Sequence, residues 1–563
     1  MKSKVSLLKI SRTDYVKILL SVAFIGFVFL PLIRMFSYMD ADSIKRVVNS
    51  PVFFQAVTNS LVSSVISTVI TVVLAFLLAV CVQRTNIRFK GIFGVIFTLP
   101  MLIPSISSGM GLVILFGNNG IVTRMLGIDG SIYGLWGIVI GSVMYAFPVA
   151  YLMLADVIRY EDGSPYEAAQ VLGIPKWRQF TAIMLPYLRK PLISVLFATF
   201  TMVITDYGVP LMVGGKYTTV ATVMYQEVIG QLDFGKGAVY GVILLIPAVV
   251  AFIIDLVNKD KGNNTFVTKP CKVSEKFGTK VLSYAFCGAL ILFTLLPIAS
   301  FVILAFAENY PSNLNFTLYN IQKALDLRAG EYLVNSFVIA VGTAVAGTLI
   351  AFGTAFLSAR IKSPSSRFLH LSSMTSAAIP GVVLGLSYVL TFNKTPIYGT
   401  ILILIMVNIV HFIASPYLMM YNSLSKINEN LDGVAQTLDI SRMHMIKDVY
   451  VPQCKGTLIE MFSYFFVNCM MTISAVSFLA GTSNKPVSLM INQFEAQMQL
   501  ECAAVVSLMI LIINILLKGV FHILSHCLQN KQSVKFSINS AFFIEMCYNK
   551  CKKIIKSNKK ACT

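Results

Sequence analysis

Two stretches place the same residue types at the same spacing, far apart in the chain. The first reads Pro165-Tyr166-Glu167-Ala168-Ala169-Gln170-Val171-Leu172-Gly173, then Ile183-Met184-Leu185-Pro186. The second reads Ala435-Gln436-Thr437-Leu438-Asp439, then Val449-Tyr450-Val451-Pro452. Gln170 to Pro186 and Gln436 to Pro452 are each sixteen residues. What they can do is dock. Ser164 can cap a helix whose first turn holds Pro165 and Glu167, which suits proline's fixed φ and the helix dipole. Ala168, Ala169 and Leu172 give that helix a small, slightly apolar face that a partner can approach closely. Gly173 supplies the left-handed turn that stops it. A second amphipathic helix then leads to Pro186, at the start of the next apolar run. Such a helix-turn-helix, joined rigidly to a buried segment, is suited to receiving motion from a soluble partner.

A second set of candidates consists of polar residues isolated in apolar runs: Asp206, Asn408, His411, Glu460 and Asn468. Polar groups in hydrocarbon are costly and are functional candidates by default. The plainer reading is that one near a span end is solvated, or that an Asn bonds a neighbouring helix. Asp206 is the best placed for gating or solute contact. Pro104 and Pro380 are expected to kink the runs that hold them. Cys81, Cys287, Cys469 and Cys502 lie in apolar runs as small core residues. Cys547-x3-Cys551 lacks the His or acidic partners of a tetrahedral site, so no metal is expected. There is no Gly-x4-Gly-Lys-Ser/Thr, and Gly214-Gly215-Lys216-Tyr217 is not one. The chain is expected to bind no cofactor, and any ATP to bind elsewhere.

These residues are positioned by membrane helices. Of 563 residues, 56% are hydrophobic and only 12% charged, about half the charged share of a soluble domain. A core about 30 Å thick needs about 20 helical residues. Twelve apolar stretches qualify, at 16–36, 57–82, 92–115, 133–156, 191–213, 238–257, 281–306, 333–358, 369–391, 397–421, 457–480 and 502–524. The first has no small-residue cleavage site after it and is read as an uncleaved span. The net charge of +20 does not point to nucleic acid, because the basic residues come in short bursts between the apolar runs. With both termini cytoplasmic, 34 of the 45 Lys and Arg fall on the inner side and nine on the outer. The positive-inside rule therefore places both ends in the cytoplasm. The basic tail at 525–563 would lie against the anionic inner leaflet.

The spans repeat. Asn59-Ser60 aligns with Asn335-Ser336, and the same offset of 276 pairs Arg84 with Arg360, Pro104 with Pro380 and Gly109 with Gly385. An offset of 266 pairs Tyr151-Leu152-Met153 with Tyr417-Leu418-Met419. Six spans per copy is an even number, so the copies point the same way, as parallel repeats about an axis along the membrane normal. The fold class is an all-α polytopic membrane protein of about twelve helices in two parallel six-helix repeats.

The Glu-Ala-Ala motif, the Gly four residues after its last Ala, and the apolar-Leu-Pro ending resemble the cytoplasmic loop of binding-protein-dependent ABC importer permeases. Thr205-Asp206-Tyr207-Gly208-Val209-Pro210-Leu211 and Thr472 to Leu479 resemble segments of the ferric iron and 2-aminoethylphosphonate group of fused permeases. The resemblance implies a 57–257 permease domain preceded by 1–56 with the first span. It implies a 258–280 linker, a 281–332 segment with the seventh span and an outer loop, a 333–524 second permease domain and the 525–563 tail. It implies docking of Glu167, Ala168, Ala169, Gly173 and Pro186, and of Ala435, Gln436, Asp439 and Pro452, onto cytoplasmic ATPase subunits, a homodimer that holds the ATP. Solute would arrive on an external binding protein: ferric iron first, otherwise phosphonate, thiamine or a polyamine. The second copy departs from the motif, with Gly433 and Val434 where Glu167 and Ala168 stand and Asp439 for Gly173. Asp tolerates a left-handed turn, and Asp432 is placed to supply the missing acid. A secondary transporter, which also uses two parallel six-helix halves, is the alternative, and a structural membrane protein the third class.

Overall fold

Proline and glycine decide where these apolar stretches stay straight. The structure, a computed structural model, describes residues 12–127, 131–258, 269, 271, 273–361, 363–525 and 527. Cys547, Cys551 and most of the basic tail lie outside those residues. Among the described residues nine helices are long and apolar enough to cross a membrane, and two further pairs could each make one bent span. By length and composition up to eleven of the twelve expected stretches thus qualify, in keeping with about twelve spans. The shortfall lies at 457–480, which is helical only over Lys455–Met471. Beyond Met471 the chain leaves the helix, and Ser488 Oγ ties back to the Thr472 carbonyl at 2.7 Å.

Pro104 and Pro380 do more than kink. Each ends one helical segment and begins another, after 3₁₀ turns at Leu99–Leu102 and Ser376–Ala378. Proline lacks an N–H and forces its predecessor out of helical geometry. Accordingly Ile103 (φ −122°, ψ 152°) and Ile379 (φ −97°, ψ 114°) are extended. The second break turns the chain by 110°. One turn further on, Gly109 and Gly385 let another segment pass close by. A Cβ on Gly109 would sit 2.7 Å from Met212 Cβ, and one on Gly385 2.7 Å from the Ala475 carbonyl oxygen. That oxygen is backbone and cannot swing aside. Gly385→Ala is expected to destabilise the protein by about 1–3 kcal/mol, read as a lower melting temperature in detergent.

The repeat reappears in hydrogen bonds. Asn59 Nδ2 donates to the Thr218 carbonyl at 3.0 Å, and Ser60 Oγ accepts from Val220 N at 2.8 Å. In the second half Asn335 Nδ2 donates to the Ser483 carbonyl at 3.0 Å, and Ser336 Oγ accepts from Val487 N at 2.7 Å. Each Asn-Ser pair thus anchors the segment that follows the fifth apolar stretch of its own half. A short antiparallel hairpin, Ala307–Asn309 with Asn313–Phe316, follows helix Phe277–Ala305.

Candidate functional site

The first of the two expected docking helices runs from Ser164 to Val171. Ser164 is its first helical residue rather than its cap. Gly163 takes the cap position, and Ser164 donates to Asp162 Oδ1 through both N–H (3.0 Å) and hydroxyl (2.9 Å). The helix ends as expected on Gly173, at φ +68°. Ile174 N donates to the Ala169 carbonyl at 2.9 Å and Gly173 N to the Gln170 carbonyl at 3.1 Å, which is the Schellman ending. The second docking helix, Asn430–Thr437, ends the same way. Asp439 is at φ +51°, Ile440 N donates to the Ala435 carbonyl at 2.8 Å and Asp439 N to the Gln436 carbonyl at 3.3 Å. The shape survives the loss of glycine.

Each docking helix buries one alanine, Ala169 or Ala435. Each leaves large apolar side chains exposed: Val171, Leu172 and Trp177 in the first loop, Val434, Leu438 and Met443 in the second. Ala168, Gln436 and Asp439 are exposed as well. The helix after the turn does not lie apart on the surface. It passes through a π turn, Phe180–Met184, into Leu185–Ile204, and Lys176–Ile204 makes one 29-residue candidate span containing Pro186. The second copy has a matching π turn at Ile446–Tyr450, then Pro452, with a break at Cys454.

The acids differ. Glu167 meets Lys269 of the linker at 3.2 Å, and Gly163 N donates to the Lys269 carbonyl at 2.8 Å. Asp432 meets Arg360 at 2.7 Å and accepts from the Tyr450 hydroxyl, yet its side chain stays 38% exposed, much as Glu167 stays 34% exposed.

Two cavities lie between the halves. One, about 360 Å³, is lined by Asp206, His411, Asp255, Tyr145, Ser474 and Tyr464, among others. The other, about 270 Å³, is lined by Asn468, Glu460, Lys518, His522 and again Tyr464. The structure therefore brings Asp206 and His411 together and places Asn468 in the neighbouring cavity. Asn408 is set apart. Its Nδ2 donates to the Leu404 carbonyl one turn back on its own helix at 2.8 Å, and it lines neither cavity. Asp206 is anchored: Ser105 Oγ donates to its Oδ1 at 2.6 Å and Val209 N to its Oδ2 at 3.0 Å.

Sequence reasoning missed the residues that join the halves beside this cavity. Tyr207 and Ser477 share a hydroxyl hydrogen bond of 2.6 Å. Tyr207 stacks on Tyr225 at 4.7 Å, and Tyr225 lies 6.0 Å from Phe478. Tyr207, Ser477 and Phe478 lie inside the segments singled out for their resemblance, but no spacing rule marks side chains that meet across a pseudo-axis. Asp255 was missed because an acid near the end of an apolar run reads as solvated.

The family described as binding-protein-dependent transport system inner membrane component matches residues 71–259 and 347–528. The putative ferric transport system permease protein FbpB 1 of Haemophilus influenzae is 26% identical over 488 residues, covering 82% of this chain and 76% of the relative. The ferric transport system permease protein FbpB of Actinobacillus pleuropneumoniae is 25% identical over 495 residues, covering 83% and 72%. A crystal structure of a bacterial alginate ABC transporter with alginate pentasaccharide-bound periplasmic protein covers 46% of this chain and 95% of that chain, at 19% identity and a TM-score of 0.37.

Proposed function

We propose a function from the premise that this chain belongs to the family of binding-protein-dependent transport system inner membrane components, which it matches twice. It is a multi-pass permease subunit of an ATP-binding-cassette importer, with the two permease halves fused in one polypeptide. The secondary-transporter alternative is set aside by that membership.

The observation that carries the rest is the pair of docking helices. Two loops of different sequence end in the same left-handed turn and leave large apolar side chains exposed. They fit two cytoplasmic ATPase subunits, which would hold the ATP and perform the hydrolysis. With both termini cytoplasmic, closing of the ATPases drives the loops together and rocks the halves open to the outside. Opening returns them. An external binding protein delivers the solute.

The solute is ferric iron. The relatives named above support this, and so does the cavity holding Asp206 and Asp255. Its carboxylate, phenol and hydroxyl groups are the hard oxygen donors that suit a hard cation. Phosphonate, thiamine and polyamines are the other outcomes of the test. The complex with its ATPase is reconstituted in proteoliposomes with binding protein. ATP-dependent accumulation of radioactive ferric iron is the expected result. Accumulation of thiamine, spermidine or 2-aminoethylphosphonate instead would overturn the assignment of solute. Iron entry without the ATPase subunit would overturn the importer reading.

A further inference from the structure

Each half contains one largely covered arginine at the expected cytoplasmic end of a long helix. Arg84 is the last residue of Pro51–Arg84, and Arg360 the last of Ala329–Arg360. Arg84 pairs with Glu161, a contact whose side chains are only 17% and 3% exposed, and lies 5.0 Å over the Tyr166 ring. The Tyr166 hydroxyl donates to the same Glu161. Arg360, 3% exposed, pairs with Asp432 at 2.7 Å and lies 5.1 Å over the Tyr450 ring. The Tyr450 hydroxyl donates to Asp432. Each half thus holds one arginine, one carboxylate and one tyrosine, all three in mutual contact.

The arginines are equivalent in the repeat, but their partners are not. At the offset that aligns Gln170 with Gln436, Asp432 falls on Tyr166, Tyr450 on Met184, and Glu161 on Ile427. Arg360 still reaches that last position, through the Ile427 carbonyl at 2.8 Å, and adds the Asn428 carbonyl at 3.1 Å. The two halves hold the same kind of triad in partner residues that do not align. A cluster that served only to fill space could have become apolar, since replacing a buried ion pair by apolar side chains is often neutral or stabilising.

The same two helices are pinned at their other ends. Asn59 and Ser60 hold the segment around Thr218–Val220, and Asn335 and Ser336 hold the segment around Ser483–Val487. Asn59 to Arg84 and Asn335 to Arg360 are each 25 residues, about 38 Å of helix. That exceeds the hydrocarbon core. Each rod therefore has one pin on either side of the membrane.

We infer that these arginine–carboxylate–tyrosine triads are the latches that convey movement of the docking loops to the outer segments. The inference rests on the coupling reading above. Arg84 and Arg360 are positioning residues in it. They fasten the docking helix to a rod whose far end holds the outer segment that a binding protein would meet. An arginine fork suits this task, because several acceptors fix both its position and its orientation.

The test uses the whole complex with its ATPase subunit, carrying probes on Lys216 and Thr482, both exposed. The inter-probe distance is read before and after trapping with ATP and vanadate. In Arg84→Gln and Arg360→Gln the trapped shift is expected to fall at least fivefold, with the amount of co-purified ATPase unchanged. Arg360→Lys keeps the charge but loses the fork, and should give an intermediate shift. The exchange Arg360→Asp with Asp432→Arg should restore at least half of it. A full shift in both glutamine variants overturns the latch, and so does loss of bound ATPase in step with the shift, which would make the triad a folding element only. Absence of bound ATPase in the unaltered protein overturns instead the importer reading on which the latch rests.

Discussion

Gly173→Val is expected to cut ATP-driven uptake by about tenfold or more. Gly173 sits at φ +68° with nothing within 4 Å of where a Cβ would be. The effect is therefore conformational and not a clash. A left-handed residue with a Cβ costs about 1–2 kcal/mol, and β-branched residues fare worse. Each 1.4 kcal/mol is about a tenfold change in the population able to bind. The strain is relieved by unwinding the turn, which breaks the bonds from Ile174 N and Gly173 N and swings Val171 and Leu172 away from the partner. The readout is ATPase co-purified with the permease, alongside uptake. Asp439→Gly sharpens the test. Asp439 already holds φ +51°, so glycine removes strain there and uptake should stay within about twofold. If Gly173→Val binds ATPase and transports as the unaltered protein does, the loop is not the docking element.

Asp206→Ala is the second large expected effect, again about tenfold or more on uptake. The carboxylate bridges the residue after Pro104 and the start of the short helix Gly208–Val213, by accepting from Ser105 Oγ and Val209 N. Both donors belong to buried residues, and leaving a buried donor unpaired costs about 1–3 kcal/mol. The segment released carries Tyr207, whose hydroxyl bonds Ser477 across the two halves. Asp206→Ala should therefore loosen the contact between the halves as well as alter the cavity. Asp206→Asn keeps an acceptor oxygen and should retain more transport than the alanine variant. Its remaining deficit measures what the charge itself contributes to moving the solute. Bound ATPase should be the same in both variants, since the docking loops are separate from this site. Equal, full uptake in both would remove Asp206 from the pathway.

Much of this architecture was legible along the chain, because hydropathy is a local property. The apolar runs, the offset of 276 joining Asn59, Arg84, Pro104 and Gly109 to their mates, and the loops around Gly173 and Asp439 need only composition and spacing. The left-handed turn at Asp439 was also readable, because few side chains tolerate that geometry and Asp is one. The far end of the eleventh apolar stretch, 457–480, was misread for a related reason. Apolar residues from Thr472 to Leu479 look like helix in any window. In the folded chain the helix ends at Met471, and the backbone beyond it packs so close to Gly385 that a Cβ there would strike the Ala475 carbonyl.

The two loops share one spacing and one shape but pair their acids with different partners. Sequence alone determined that shape, since a turn is decided by the few residues that form it. Where each acid points was left to the tertiary structure. Asp432 stands beside a docking surface in the sequence, yet it faces Arg360, because the nearest buried cation comes from a helix some seventy residues away. Burial makes an unpaired guanidinium too costly to leave alone. No spacing rule records which carboxylate the fold will bring to it.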